Sequence, residues 1–171
     1  MEKFKVLFSE EELQKRIKEM AKEIDSYYQG KEIIAVCILK GAVFFATDLL
    51  KRMETTMDVE FLRASSYVGT ESTGEVKINM DLSADIEGKD VLIVEDIADT
   101  GTTLKYLVDY LKSKNPNTLK VAVLLDKKER RKVELQLDYV GFDIPNKFVV
   151  GYGFDIDQKY RNLPYVGYVE N

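Results

Sequence analysis

Glu95 and Asp96 stand side by side at the end of an aliphatic run in "VLIVEDIADTGTTL", Val91 to Leu104, and Asp99 follows two apolar residues later. Adjacent carboxylates repel and cost stability unless a cation or a hydroxylated group lies between them. A sugar diol or a hydrated Mg²⁺ meets that need. Thr100, Gly101, Thr102 and Thr103 come next and enter a helical pattern. Free N–H groups at a helix start, hydroxyls and a permissive glycine suit a phosphate. Taken without the carboxylates, the same residues are an ordinary helix cap.

The chain has no histidine. That removes Ser-His-Asp and Cys-His catalysis and every His-ligated zinc site. A general base must be Asp, Glu, Lys, Tyr or the single cysteine, Cys37. Cys37 lies in an apolar run and reads as a buried, inert thiol of a reducing compartment.

Other polar groups follow apolar runs in the same way. Lys40-Gly41 follows "IIAVCIL", and Asp126-Lys127 follows "LKVAVLL". In open α/β sheets ligands bind beyond the carboxyl ends of the strands, so these three polar ends are expected at one edge. The P-loop is excluded, because Glu75-Val76 stands where "GTESTG" would need Lys-Ser/Thr.

The elements that must hold these groups are readable. Ser9 and Glu12 form a capping-box pattern, Leu13 to Tyr28 recur at helical spacing, and Gly30 closes that helix. "AVFFATDLLKRM" reads as a second helix, and Leu104, Leu107, Val108 and Leu111 mark a third. Strands are expected at Ile33–Leu39, around Met57–Phe61 and Val76–Leu82, and at Val91–Val94, Leu119–Leu125 and Phe148–Tyr152. The turn-rich "SSYVGTESTGE" reads as a flap.

At 171 residues, with 45% hydrophobic residues, one domain spanning 1–171 is expected. The net charge of −5 and pI near 5.0 argue against nucleic acid or a membrane surface as partner. No signal-peptide core or membrane span is visible, so a soluble, cytoplasmic protein is expected.

"VLIVEDIADTGTT" resembles the PRPP-binding motif of the type I phosphoribosyltransferase family at each defining position. "LKGAVFF", "SSYVG", "LLDKKERR", "YVGFDIPNKFVVGYGFD" and "KYRNLPYVG" extend the similarity and narrow it to hypoxanthine-guanine phosphoribosyltransferases. Ala98 departs from the pattern, where a larger aliphatic residue is usual.

The resemblance implies a single-domain α/β fold with a mostly parallel, five-stranded core sheet, flanking helices, a small hood built from the chain ends and a mobile flap. It implies Mg²⁺ as cofactor, PRPP and a 6-oxopurine as substrates, and a homodimer or homotetramer. Glu95 and Asp96 would engage the ribose hydroxyls and Mg²⁺, and Asp99 would face the purine N7 as base or hydrogen-bond acceptor. Thr100, Gly101, Thr102 and Thr103 would cradle the 5-phosphate. Lys40-Gly41, with a non-proline cis peptide, and Arg161 would hold pyrophosphate. Lys127 would donate to the 6-oxo group, Phe148 would stack on the base, and the Val149 backbone would meet its edge. Asp155 would bind a second Mg²⁺ and lie near the base, and Ser66-Tyr67 belong to the flap.

Without the resemblance, Phe148 reads as a core aromatic, Asp155 and Arg161 as surface charges, and most of "KKERRK" as a solvated turn. Two rival functions are a regulatory nucleotide-binding module of this fold and a phosphatase-like hydrolase with Asp96 as nucleophile.

Overall fold

The structure is a computed structural model that describes residues 4–66 and 75–170. Tyr67 and most of the expected flap lie outside the described residues.

The chain runs β1 (Lys5–Phe8), α1 (Glu10–Tyr27), β2 (Ile33–Leu39), α2 (Val43–Arg52), β3 (Met57–Ser66), β4 (Val76–Met80) and β5 (Asp90–Ala98). It continues through α3 (Thr102–Lys112), β6 (Thr118–Asp126), β7 (Tyr139–Asp143), β8 (Val149–Val150) and β9 (Val166–Tyr168). The main sheet has the order β4-β3-β2-β5-β6-β7. Its strands are parallel except β4, which pairs antiparallel with β3.

The long apolar runs follow from burial on both faces. Ile33 and Cys37 of β2, Leu92 and Val94 of β5, and Ala122 and Leu124 of β6 pack with α1 and α2. The alternate residues Ile34, Val36, Val91, Ile93, Val121 and Val123 pack with α3. The Ser9 hydroxyl caps α1 by accepting the Glu12 N–H at 3.1 Å, as its position three residues upstream requires.

Two expectations are corrected. The main sheet has six strands rather than five, because Tyr139–Asp143 pairs with β6. That segment is only half-buried and carries Gly141, whose added Cβ would lie 2.5 Å from the Leu124 carbonyl oxygen, so neither alternation nor an apolar run announces it. Val149-Val150 leaves the core sheet altogether. With β1 and β9 it forms a separate three-stranded sheet, order β1-β9-β8, which is the hood expected from the chain ends.

Register places the site. Cys37 pairs with Val94, and Val94 with Ala122, so β2, β5 and β6 end along one edge. Lys40, Glu95-Asp96 and Asp126-Lys127 emerge there together.

Candidate active site at the carboxyl edge of the sheet

Val91 to Val94 are fully buried, whereas Glu95 and Asp96 are partly buried as β5 emerges. The Asp96 N–H donates to Glu95 Oε1 at 2.8 Å. Burial, and secondly the charge of Asp96, push the Glu95 carboxyl well above the usual carboxylate range. Burial also raises Asp96, against hydrogen bonds and the charge of Arg161, which hold it down. The same burial, with both acids nearby, pushes the Cys37 thiol up to about 12, as expected of an inert thiol.

Two desolvated oxygen donors with no histidine suit a hard divalent cation such as Mg²⁺. Among the described residues no group of three Asp, Glu, Cys or His side chains could enclose a metal, so substrate oxygens and water would complete its shell.

Two glycines let the neighbouring strand ends close on this pair. A Cβ on Gly41 would lie 1.9 Å from Asp96 Oδ2, and one on Gly153 would lie 2.0 Å from the Gly41 carbonyl oxygen. Gly153 also has φ +102, a left-handed backbone that glycine adopts without penalty. The cis peptide expected at Lys40-Gly41 is present one bond earlier, at Leu39–Lys40.

Lys40 Nζ and Arg161 Nη2 converge on one oxygen, donating to Gln158 Oε1 at 3.2 and 3.1 Å. Arg161 Nη1 donates to the Gly153 carbonyl at 2.6 Å, and Asp155 lies 3.5 Å from the same guanidinium. Lys40, Arg161 and Asp155 are therefore brought together beside Gly41. Gln158 was not visible from the sequence, where a lone glutamine in a polar loop gives no signal.

The loop after β5 carries Asp99 and Thr100 into α3. Gly101, with φ +84, precedes the helix and offers no capping side chain, and the one side-chain contact to the first turn, Thr102 N–H to Thr100 Oγ1, is 3.5 Å long, which leaves first-turn N–H groups open to an anion. Thr102 and Thr103 form that first turn. Lys127 is buried, its Nζ 3.9 Å from Asp99 Oδ2. Burial lowers the Lys127 pKa, with Asp99 opposing the shift and Arg130 adding to it. Arg130 Nε binds the other Asp99 oxygen at 2.8 Å.

The remaining residues sit at the hood and the sheet margin. Phe148 is not a core aromatic, as it is 59% exposed, while Val149 is buried in β8 and pairs with Tyr168. Among the described residues no hydrogen bond ties Phe148 or Val149 to Asp99 or Lys127. Ser66 is exposed at the end of β3.

Most of the charged turn after β6 is exposed, as expected, yet two of its arginines bind acids of the neighbouring segments. Arg130 reaches Asp99, and Arg131 pairs with Asp126, which is 2% exposed. A signal did exist: an aspartate closing an apolar strand needs a cation once buried, and Arg131 is the one that comes.

Comparison with known proteins gives the chain's family and relatives. Residues 7–157 match the family described as phosphoribosyl transferase domain. A hypoxanthine-guanine phosphoribosyltransferase of Staphylococcus aureus is 51% identical over 163 residues, covering 95% of this chain and 91% of that protein. The bifunctional protein TilS/HprT of Listeria monocytogenes is 53% identical over 164 residues, and the chain spans only 25% of its length. The crystal structure of a hypoxanthine-guanine phosphoribosyltransferase from Bacillus anthracis superposes with a TM-score of 0.93 at 45% identity, covering 99% of this chain and 100% of that one.

Proposed function

The chain belongs to the phosphoribosyl transferase domain family, and from that premise we propose that it moves the phosphoribosyl group of PRPP onto hypoxanthine or guanine. The products are IMP or GMP and pyrophosphate, the chemistry of purine salvage. One observation carries the reading. A buried ammonium and a carboxylate, Lys127 and Asp99, lie 3.9 Å apart beside an open helix N-terminus.

Adjacent N7–H and 6-oxo groups on a purine edge need an acceptor beside a donor, which Asp99 and Lys127 supply. Thr100, Gly101, Thr102 and Thr103 take the 5-phosphate, and Glu95 and Asp96 take the ribose hydroxyls. Lys40, Gly41 and Arg161 receive the pyrophosphate, where Gln158 Oε1 now draws both cations. Phe148 offers its exposed ring to the base, with the Val149 backbone and Asp155 at the base's edge.

The fit of the carboxylates supports Mg²⁺ at Glu95 and Asp96, with a second ion at Asp155. When bound, Mg²⁺ supplies charge neutralisation on the pyrophosphate. The sugar passes through an oxocarbenium-like transition state, so this chain contributes chiefly positioning and electrostatics, with Asp99 accepting the purine proton. Ser66 and Tyr67 belong to the segment assigned as the flap that excludes water.

Residues 1–171 act as one domain, since a single main sheet carries every strand end of the site. Val59 and Phe61 of β3 are 46% and 41% exposed, and support self-association as a homodimer or homotetramer. Light scattering on Phe61→Glu tests that association, and an unchanged mass would refute a role for this flank. No helix of the described residues is long and apolar enough to cross a membrane. With its lone thiol buried and inert, the chain is assigned to the cytoplasm, which cell fractionation checks.

Steady-state kinetics with PRPP, Mg²⁺ and each of hypoxanthine, guanine and adenine test the function. Adenine turns a donor toward the Lys127 donor and leaves a buried charge unpaired, a mismatch that supports discrimination of ~10⁴-fold. Adenine used as well as hypoxanthine would refute the role of Lys127 and the substrate class.

A further inference from the structure

Three consecutive carbonyls of the loop, those of Ala98, Asp99 and Thr100, accept hydrogen bonds from one neighbouring segment. The donors are Lys127 N–H at 2.9 Å, Arg131 Nε at 3.2 Å and Lys132 N–H at 2.9 Å. Each carbonyl shares a rigid peptide plane with the next residue's N–H, and the two point in opposite directions across a trans bond. Fixing the three carbonyls toward 127–132 therefore turns the N–H groups of Asp99, Thr100 and Gly101 away from it. Among the described residues, the N–H groups of Thr100 and Gly101 make no hydrogen bond.

Nothing inside the loop does this work. The one internal bond to a backbone N–H, from Thr102 to Thr100 Oγ1, is 3.5 Å long. Two of the three outside donors are backbone groups and indifferent to side chain. The third is Arg131, and it is anchored twice. Its guanidinium pairs with the buried Asp126, and its stem fills the space under Gly101, where a Cβ would lie 2.8 Å from Arg131 Cδ.

We propose that Arg131, pinned by Asp126, is a positioning residue that holds the 98–101 peptide planes with their N–H groups aimed at the substrate's 5-phosphate. It rests on the reading of Thr100 to Thr103 as the phosphate loop. Arg131 acts on the phosphate through the backbone, so its removal weakens ligands by their phosphate and not by their base. A structural role alone would lower thermal stability and weaken all ligands alike.

Calorimetric titration of IMP, inosine and pyrophosphate into the protein separates these cases. In the wild type the IMP-to-inosine affinity ratio measures what the phosphate contributes. In Arg131→Met that ratio falls about tenfold or more, the scale of one charged hydrogen bond, while pyrophosphate affinity stays within about twofold. Asp126→Asn/Arg131→Met removes the unpaired buried charge as well, and keeps the test open if the single variant does not fold. It loses the same share of the ratio. A ratio within about twofold of wild type in the folded double variant overturns the role of Arg131. A wild type that binds inosine as tightly as IMP instead removes the phosphate-loop reading itself, and the inference with it.

Discussion

Replacing Gly41 by alanine would put a methyl carbon 1.9 Å from Oδ2 and 3.0 Å from Cγ of Asp96. Carbon and oxygen need roughly 3.5 Å, so the carboxylate must move by more than an ångström. It is the end of a short side chain and can rotate, at a cost of about 0.5–1.5 kcal/mol for an unfavourable torsion. Gly41 lies outside the left-handed region, so alanine reduces unfolded-state freedom and returns about 0.4–1 kcal/mol. The two terms nearly cancel, and the melting temperature should shift by only a few degrees. Function should not be spared. A displaced Asp96 no longer meets the ribose hydroxyls, and a lost hydrogen bond to a charged group is worth about 1.5–3 kcal/mol, or ~10–10²-fold in kcat/KM for PRPP. Gly153→Ala is the contrast. Its Cβ would strike the Gly41 carbonyl at 2.0 Å with φ at +102, so the backbone itself must shift and stability falls with activity. Kinetics at saturating hypoxanthine, beside thermal melts of both variants, make the comparison. A Gly41→Ala enzyme within about twofold of wild type in kcat/KM for PRPP would refute the placement of Asp96.

Gln158→Glu puts a carboxylate where Lys40 and Arg161 now share a neutral oxygen, and should weaken pyrophosphate binding about tenfold by pairing the cations in advance. Unchanged pyrophosphate inhibition would show that these cations do not form its site. Asp99→Asn should lower kcat by ~10²–10⁴-fold with the KM for PRPP near normal. Near-normal turnover with weakened PRPP binding would make Asp99 a binding residue. Glu95 and Asp96 are both raised above their ordinary values, so the native state holds more protons than the unfolded one. Stability of the ligand-free protein should therefore decline as pH rises from the ordinary carboxylate range through the elevated native values. Binding of Mg²⁺ and PRPP in that window should release protons, read by calorimetry in buffers of different ionisation enthalpy, and no release would count against the raised pair.

What could be read in advance depended on where the information sits in the chain. Strands β2, β5 and β6 are buried on both faces along the aliphatic stretches Ile33–Leu39, 91–94 and 121–125, so the polar groups that end these stretches stand out. The segment Glu95 to Thr103 stood out for the same reason, since paired acids, a further carboxylate and a hydroxyl-rich helix start follow one apolar run. β7 was not, because a half-buried strand held by a glycine at close approach has no period to detect. The hood strands are two to four residues long, and β1 meets its partner β9 more than a hundred positions away, as with Lys5 and Tyr168. Arg130 and Arg131 were hidden in another way. Arg130 sits 31 positions from Asp99 and Arg131 32 positions from the same residue's carbonyl, inside a run whose charges all look alike in sequence. What sets Arg131 apart is burial, which composition does not carry: its side chain is 18% exposed, against 45% for Arg130. Asp126 loses its water at the end of β6, and a carboxylate without water must recruit a cation, so one of the neighbouring arginines is drawn inward. The guanidinium that answers this demand has further donors in a fixed planar fork, and one of them reaches the Asp99 carbonyl. A requirement of the core thus also ties down a carbonyl of the loop that follows β5.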